Sequence, residues 1–327
     1  MFDTIALVIQ RAVVQGIPLL YGSTGEILTE KSGNLNLGIP GIMYVGGVSG
    51  VIGAFFYERS TETPSSFLLV LIPLLASLFG SGIMALIYSF LTITLRANQN
   101  VTGLTLTIFG TGFGNFFGGS LASLFGEGGS LALTETSLAF QTSFPFADRL
   151  GSIGTIFFSY GFMAYMAIIV ALIAAFVLKK TRVGLQLRAV GENPATADAA
   201  GINVTRYKYV ATVIGGMIAG LGGLYFVMDY TSGVWTNGGF GDRGWLAIAL
   251  VIFALWKPNV SVLGSILFGG LYIIYLFIPG LERSTQELFK MLPYVVTILV
   301  LIIVSMRKKR EYQPPEHLGL SYFREER

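Results

Sequence analysis

The chain has no cysteine among its 327 residues and a single histidine, His317. The first absence excludes disulfides, thiolate zinc sites, iron–sulfur clusters and thiol nucleophiles. The second leaves no histidine pair for a metal and no membrane histidine for a catalytic triad. Charge is scarce too: Lys, Arg, Asp and Glu make up 12% of the chain, roughly half the usual share of a soluble domain. No G-x-x-x-x-G-K-[ST] run occurs, so there is no loop to cradle the phosphates of a nucleotide. The net charge of +3 does not imply nucleic acid, because the basic residues have a simpler use as topology signals. The N-terminus lacks the basic n-region of a cleavable signal, and the first apolar run is expected to be retained.

What is present is hydrocarbon, interrupted at intervals. Hydrophobic residues form 53% of the chain, mean hydropathy is +0.69, and of 39 charged residues only Arg11 lies well inside an apolar stretch. A spanning helix needs about 20 mostly apolar residues, and a charge in hydrocarbon is costly. Segments of that kind fall at 4–22, 36–57, 67–95, 101–125, 153–178, 207–228, 244–256, 259–279 and 291–306. The expected fold class is an all-α polytopic membrane protein with eight to ten transmembrane helices. The run at 244–256 is short for a crossing, and 36–57 holds seven glycines and prolines, so either is a candidate for a broken or re-entrant helix. The 42 glycines suit close helix packing in lipid. Leu-Arg-Ala recurs at 95–97 and 187–189, a faint trace of an internal repeat.

Orientation follows from Lys and Arg. With nine spans, 15 of the 21 fall in the loops 23–35, 96–100, 179–206 and 257–258 and the tail from 307, with Lys208 counted at the edge. Five lie on the opposite side, so the first set is expected to be cytoplasmic. The Arg307–Arg310 cluster then holds the C-terminus inside, and nine spans put the N-terminus outside. Residues 1–306 are expected to form the transmembrane domain, with a coupling loop at 179–206, and 307–327 a cytoplasmic tail.

The second half of the 179–206 loop reads as a short helix. Asn193 suits the N-cap, Pro194 the first helical position and Gly201 the C-terminal stop. Alanines at 195, 197, 199 and 200 give it a smooth face, fit either for docking a partner or for bridging two spans.

At this point the chain resembles a family. G-L-Q-L-R-A-V-G-E-N-P-A-T-A-D-A-A-G-I in this loop is similar to the coupling-loop motif of bacterial ABC-transporter permeases of the branched-chain-amino-acid/ribose/nucleoside class. E-K-S-G-N-L-N-L-G-I-P-G-I-M at 30–43 and L-R-A-N-Q-N-V-T-G-L at 95–104 agree, in the same order. The C-terminal Q-P-P-E-H-L-G-L-S-Y-F-R-E-E-R at 313–327 resembles the tail of the shorter permease of purine-nucleoside importers. One departure is Pro40, where relatives often carry Glu; a carboxylate there is not essential in this chain.

The resemblance implies a coupling helix made of Gly191, Glu192, Asn193, Pro194, Ala197, Ala200 and Gly201 that docks on an ABC ATPase. It also implies two nucleotide-binding halves on one ATPase polypeptide, a second and different permease, and an extracytoplasmic substrate-binding lipoprotein. No cofactor is expected on this chain, since ATP and Mg belong to the ATPase. Membrane lipid is the remaining expected partner, and nucleic acid is not expected. Candidates for the substrate pathway are Asn34 and Asn36, then Thr107, Thr111 and Asn115 at i, i+4, i+8 on one helix face, with Phe109 nearby to stack on a base. Trp235 sits in a glycine-rich external stretch. Each has a plainer alternative: a helix–helix seam for the polar stripe, an interfacial anchor for the tryptophan. A nucleoside, with hydroxyl edges and a flat π-face, suits such a path; a sugar such as ribose or a galactoside, or a branched-chain amino acid, is the alternative cargo. An ion-coupled carrier would need a buried Asp, Glu or His relay, and an intramembrane enzyme a catalytic cluster; the sequence shows neither plainly.

Overall fold

A computed structural model describes residues 2–126, 129–278, 280–307 and 313–323. Apolar runs of this length satisfy their backbone in lipid only by coiling into helices. Helices α1 (Phe2–Glu30), α2 (Ile39–Ser60), α3 (Ser66–Ser89) and α4 (Gln99–Phe125) come first. Strand β1 (Leu131–Ala132) and helices α5 (Thr134–Phe140) and α6 (Gly151–Phe157) lead to α7 (Phe162–Lys180). Helices α8 (Arg182–Glu192) and α9 (Pro194–Ala199) connect α7 to α10 (Val204–Tyr225). After strand β2 (Val234–Trp235) come α11 (Arg243–Phe253), α12 (Pro258–Ile273), α13 (Arg283–Lys290) and α14 (Leu292–Arg307). The two strands pair antiparallel, Leu131 opposite Trp235.

Among the described residues, seven helical stretches are long and apolar enough to cross a membrane: Thr4–Glu30, Ile39–Ser60, Ser66–Thr94, Phe162–Lys180, Val204–Tyr230, Pro258–Phe277 and Ser284–Met306. Helix α4 matches them in length at 27 residues and falls short only because glycines, threonines and Asn115 dilute its hydropathy. Counted with the seven it reaches the lower end of the expected range. The doubtful run at 244–256 is α11, whose 11 residues rise roughly 16 Å, about half a bilayer core. It is reached through the mostly exposed loop 236–242, in which Phe240 is buried, and ends where Leu255 and Trp256 both take φ 54°. The other doubtful run is unbroken: α2 is continuous over 22 residues, and its glycines serve packing instead. Most of the basic cluster at 307–310 lies outside the described residues, as do Arg324 and Arg327.

Helices α1, α2 and α10 form the centre, and glycine sets how closely they approach. A Cβ on Gly25 of α1 would lie 2.1 Å from the Gly215 carbonyl oxygen of α10, and one on Gly223 would lie 1.8 Å from the Met43 oxygen of α2. Tyr21, Met43, Leu224 and Tyr225 fill the space between them, all within 1% of full burial. Around this centre the outer helices turn Phe79, Ile108, Phe176 and Leu263 outward, an apolar surface suited to hydrocarbon.

Burial overturns the sequence reading of charge. Arg11 lies inside the first span as expected, with its side chain on the outer face, whereas Glu26, Glu30, Lys208 and Arg243, read as loop or loop-edge charges, are buried. The first span was expected to end at residue 22; it continues eight residues further to Glu30 and carries both carboxyls into the protein.

The α1–α10 crossing yields a stability test. Gly25→Val forces side-chain atoms into a backbone carbonyl and is expected to cost about 3 kcal/mol, seen as a lower Tm in detergent. Gly112→Ala on α4 meets nothing within 4 Å and is expected to leave Tm unchanged or slightly raised.

Candidate functional site

The short helix α9 is set by local chemistry. Asn193 leaves the helical region at φ −149° and its Oδ1 accepts the Thr196 N–H at 2.9 Å; Pro194 follows at the first helical position. Gly201 closes the turn at φ +82°, a conformation that favours glycine. The expected coupling residues divide by burial. Gly191, Pro194 and Ala197 face inward, while Glu192, Asn193, Ala200 and Gly201 are exposed together with Ala195 and Ala199. Gly191 is seated on the turn after α1, where a Cβ would lie 2.3 Å from the Lys31 carbonyl oxygen. Burial holds the Lys31 ammonium below its ordinary range, and Glu192 opposes that shift.

The tail folds back over this surface. His317 N–H donates to the Gly191 oxygen at 3.0 Å and Gly319 N–H to the Gly33 oxygen at 3.2 Å. Gln99 Nε2 donates to the Leu320 oxygen at 3.3 Å, and the Tyr322 hydroxyl to Asp198 Oδ2 at 2.8 Å. The Arg96 guanidinium lies 4.6 Å over the Phe323 ring. Segments 30–43, 95–104, 184–202 and 313–323, far apart in sequence, thus meet at one end of the molecule, the end richest in Lys and Arg.

Beneath them lies a buried stretch of irregular backbone at residues 34–38. Side chains from three helices, with Asn36 of the segment itself, satisfy it. Glu26 Oε1 accepts the Asn36 N–H at 3.0 Å and Gln99 Oε1 the Leu35 N–H at 2.7 Å. The Tyr88 hydroxyl donates to the Leu35 oxygen and Thr107 Oγ1 to the Leu37 oxygen at 2.8 Å, while Asn36 Oδ1 accepts the Gly38 N–H at 2.9 Å. Asn34 Nδ2 donates to Thr212 Oγ1 at 3.1 Å, and Trp256 Nε1 donates to Glu30. Three buried atoms remain unpartnered here: Glu26 Oε2, Asn34 Oδ1 and Asn36 Nδ2. Sequence reasoning selected Asn34, Asn36 and Thr107 and missed Glu26, Glu30, Tyr88, Gln99, Thr212 and Trp256. The available signal was two glutamates four residues apart directly after an apolar run.

Asn115 and Trp235 lie toward the other end. Asn115 is eight residues along α4 from Thr107, roughly 12 Å. Its Oδ1 accepts the Tyr44 hydroxyl, and Gly238 N–H donates to both, at 2.9 Å to Tyr44 and 3.3 Å to Asn115. Trp235 meets Tyr44 edge-on at 5.3 Å, and Phe240 meets it at 6.2 Å. Trp235 rests on Gly118, where a Cβ would lie 2.2 Å from its Nε1. The cavity among Tyr44, Phe226, Trp235 and Phe240 measures about 10 Å³, whereas a small-molecule site needs about 300 Å³ or more. This end is closed. Thr111 lies between the two groups and donates to the Thr107 oxygen at 2.9 Å. Phe109 does not join them; it is 54% exposed and forms an outward ladder with Phe113.

Docking of the tail carries a pH dependence. Burial, and after it the Lys208 cation, hold His317 below the ordinary histidine range, so the folded chain favours the neutral ring. The undocked ring takes its proton first as pH falls through about 6.5, so this stabilisation is complete above that pH and is lost as pH falls toward the lower folded value. Proteolysis within 313–323 is expected to be faster at about pH 5.5 than at about pH 7.5. His317→Gln is expected to flatten that difference.

Comparison with known proteins gives the family. The family model described as branched-chain amino acid transport system / permease component matches residues 8–301. The nucleoside ABC transporter permease protein NupC of Lactococcus lactis subsp. cremoris is 32% identical, over 92% of this chain and 93% of that protein. The putative glucose ABC transporter permease protein TsgC13 of Haloferax volcanii is 31% identical, over 94% of each. The guanosine ABC transporter permease protein NupQ of Bacillus subtilis is 29% identical, over 91% of each. A permease component works with an ATPase and a binding protein and is not itself the ATPase. The chain belongs to the branched-chain amino acid transport system permease family, and it is a multi-pass transport subunit of an ATP-binding-cassette importer.

Proposed function

We propose that this chain translocates a nucleoside, a purine nucleoside first, delivered by an extracytoplasmic substrate-binding lipoprotein. The cargo reading is supported by full-length similarity to NupC and NupQ. In this reading the basic end is cytoplasmic, in a bacterial inner membrane, and the Trp235 end faces the binding protein. A second permease completes the pathway. One ATPase polypeptide with two nucleotide-binding halves carries ATP and Mg, and this chain holds no cofactor.

The observation that carries the mechanism is the face of α9. Ala195, Ala199 and Ala200 are exposed, while Pro194 and Ala197 anchor the helix from beneath. Closure of the ATPase moves α9; Gly191 passes that motion to the Lys31 turn and so to α1 and the buried 34–38 segment. The aromatic closure at Tyr44, Asn115 and Trp235 opens in the opposite phase, with Asn34, Asn36, Thr107 and Thr111 along the path between. A sugar is the second reading, on the strength of the similarity to the putative glucose permease.

The test is uptake of radiolabelled purine nucleosides by cells carrying this chain with its neighbouring subunits, with and without ATPase activity. Unlabelled ribose, glucose and branched-chain amino acids are the competitors. Uptake that needs the ATPase and is blocked only by nucleosides supports the reading; block by a sugar or an amino acid replaces the cargo. Uptake by this chain alone, abolished by an uncoupler, overturns the mechanism. Ala199→Arg places a long cation on the docking face and is expected to lower uptake about tenfold or more at unchanged permease abundance.

A further inference from the structure

At the basic end a polar cavity of about 760 Å³ opens between the tail, the last turn of the α3 helix and the start of α10. Three cations line it, Arg96, Arg206 and Lys208, against one carboxylate, Asp198, which already accepts the Tyr322 hydroxyl at 2.8 Å. Lys208 is 3% exposed, and among the described residues its ammonium has neither an ion pair nor a hydrogen bond. A buried, uncompensated ammonium is costly, and such a cost persists where a ligand offsets it. The first turn of the 22-residue helix α10 contributes Val204 and Thr205 to the same wall, adding the positive end of its dipole.

Beside the cavity lies an apolar groove of about 620 Å³ between α7 and α10, floored by Leu28 of α1. The two spaces share Asn203, Arg206 and Val210. Val170, Ile173 and Val177 form one wall of the groove, and Val210, Ile214 and Ile218 the other. From Arg206 to Ile218 the groove follows twelve residues of α10, roughly 18 Å, close to the depth of one leaflet.

A cationic pocket that adjoins an apolar groove of leaflet depth, with Arg206 on the rim of both, matches one kind of molecule. We propose that this end of the chain binds an anionic phospholipid, with its phosphate against Lys208, Arg206 and Arg96 and one acyl chain between α7 and α10. Free phosphate would fill the pocket and leave the groove empty. An acidic side chain of a docked subunit would do the same. The groove therefore favours lipid, and the proposal does not depend on which solute is carried.

The test uses the full chain with its partner subunits in phosphatidylcholine vesicles, with and without phosphatidylglycerol. Phosphatidylglycerol is expected to raise the Tm and to be retained by the detergent-extracted complex in native mass spectrometry. Lys208→Met is expected to weaken retention about tenfold while leaving the protein folded, since it replaces a buried cation by an apolar chain of similar length. Arg206→Gln, on the exposed rim, is the second charge variant and is expected to act in the same direction. Ile214→Trp fills the groove without touching the charges and is expected to weaken retention as well. Inorganic phosphate added to phosphatidylcholine vesicles is expected to give no rise in Tm. An equal rise with phosphate alone, or retention unchanged in both Lys208→Met and Arg206→Gln, overturns the proposal. Loss of retention only when the ATPase is absent would reassign the pocket to subunit docking.

Discussion

A buried stretch of irregular backbone must have every polar group answered from within the protein, and residues 34–38 impose that demand on this chain. In hydrocarbon each unmade hydrogen bond costs several kcal/mol, so the segment exists only because side chains reach it from several helices. Glu26 comes from α1, Tyr88 from α3, and Gln99 and Thr107 from α4. These four side chains bind three spans to one non-helical strip. Movement of any of the three either carries the strip along or breaks bonds that water cannot replace.

The tail and the coupling loop extend the same logic outward. Gln99 bonds the strip through Oε1 and the tail through Nε2, and Gly33 and Gly191 each accept a tail N–H. Helix α9 is therefore not a free arm. Its inner face packs Ala197 with Val190 and Val204, and Tyr322 of the tail packs against that cluster. Under the proposed coupling role, a push on the exposed alanines would pass through this packed cluster and Gly191 to the Lys31 turn, whereas a flexible loop would absorb it.

The spans, the short helix at 194–199 and the crowding of charge at one end were legible in the sequence because each follows from local composition. Asn193, Pro194 and Gly201 announce α9 by the conformations their own side chains favour. The buried charges were less visible. Glu26 and Glu30 follow an apolar run and read as the start of a polar loop; only their neighbours Asn36 and Trp256, ten and 226 residues away, make their burial tolerable. Arg11 lies inside the first span as its apolar flanks indicate, though those flanks say nothing about which side of the helix faces out. The polar stripe on α4 was readable as one face, yet its register against neighbouring helices was not. Thr107 is taken up by the 34–38 strip, Asn115 by Tyr44, and Phe109 points away from both.

The aromatic closure and the strip are joined by two helices that run the full length between them. Helix α4 carries Thr107 at one site and Asn115 at the other, and α2 begins at the strip and carries Tyr44 into the closure. Where α2 and α4 cross, a Cβ on Gly110 would lie 2.6 Å from the Gly41 carbonyl oxygen. Backbones in such contact do not slide smoothly past one another; they hold one arrangement or shift to another. A displacement at the strip therefore reaches Tyr44 and Asn115 as a shift of a rigid pair. The Tyr44–Asn115 hydrogen bond lies within that pair and travels with it. The contacts to Gly238, Trp235 and Phe240 come from the loop outside it, and those are the contacts that must part for the closure to open.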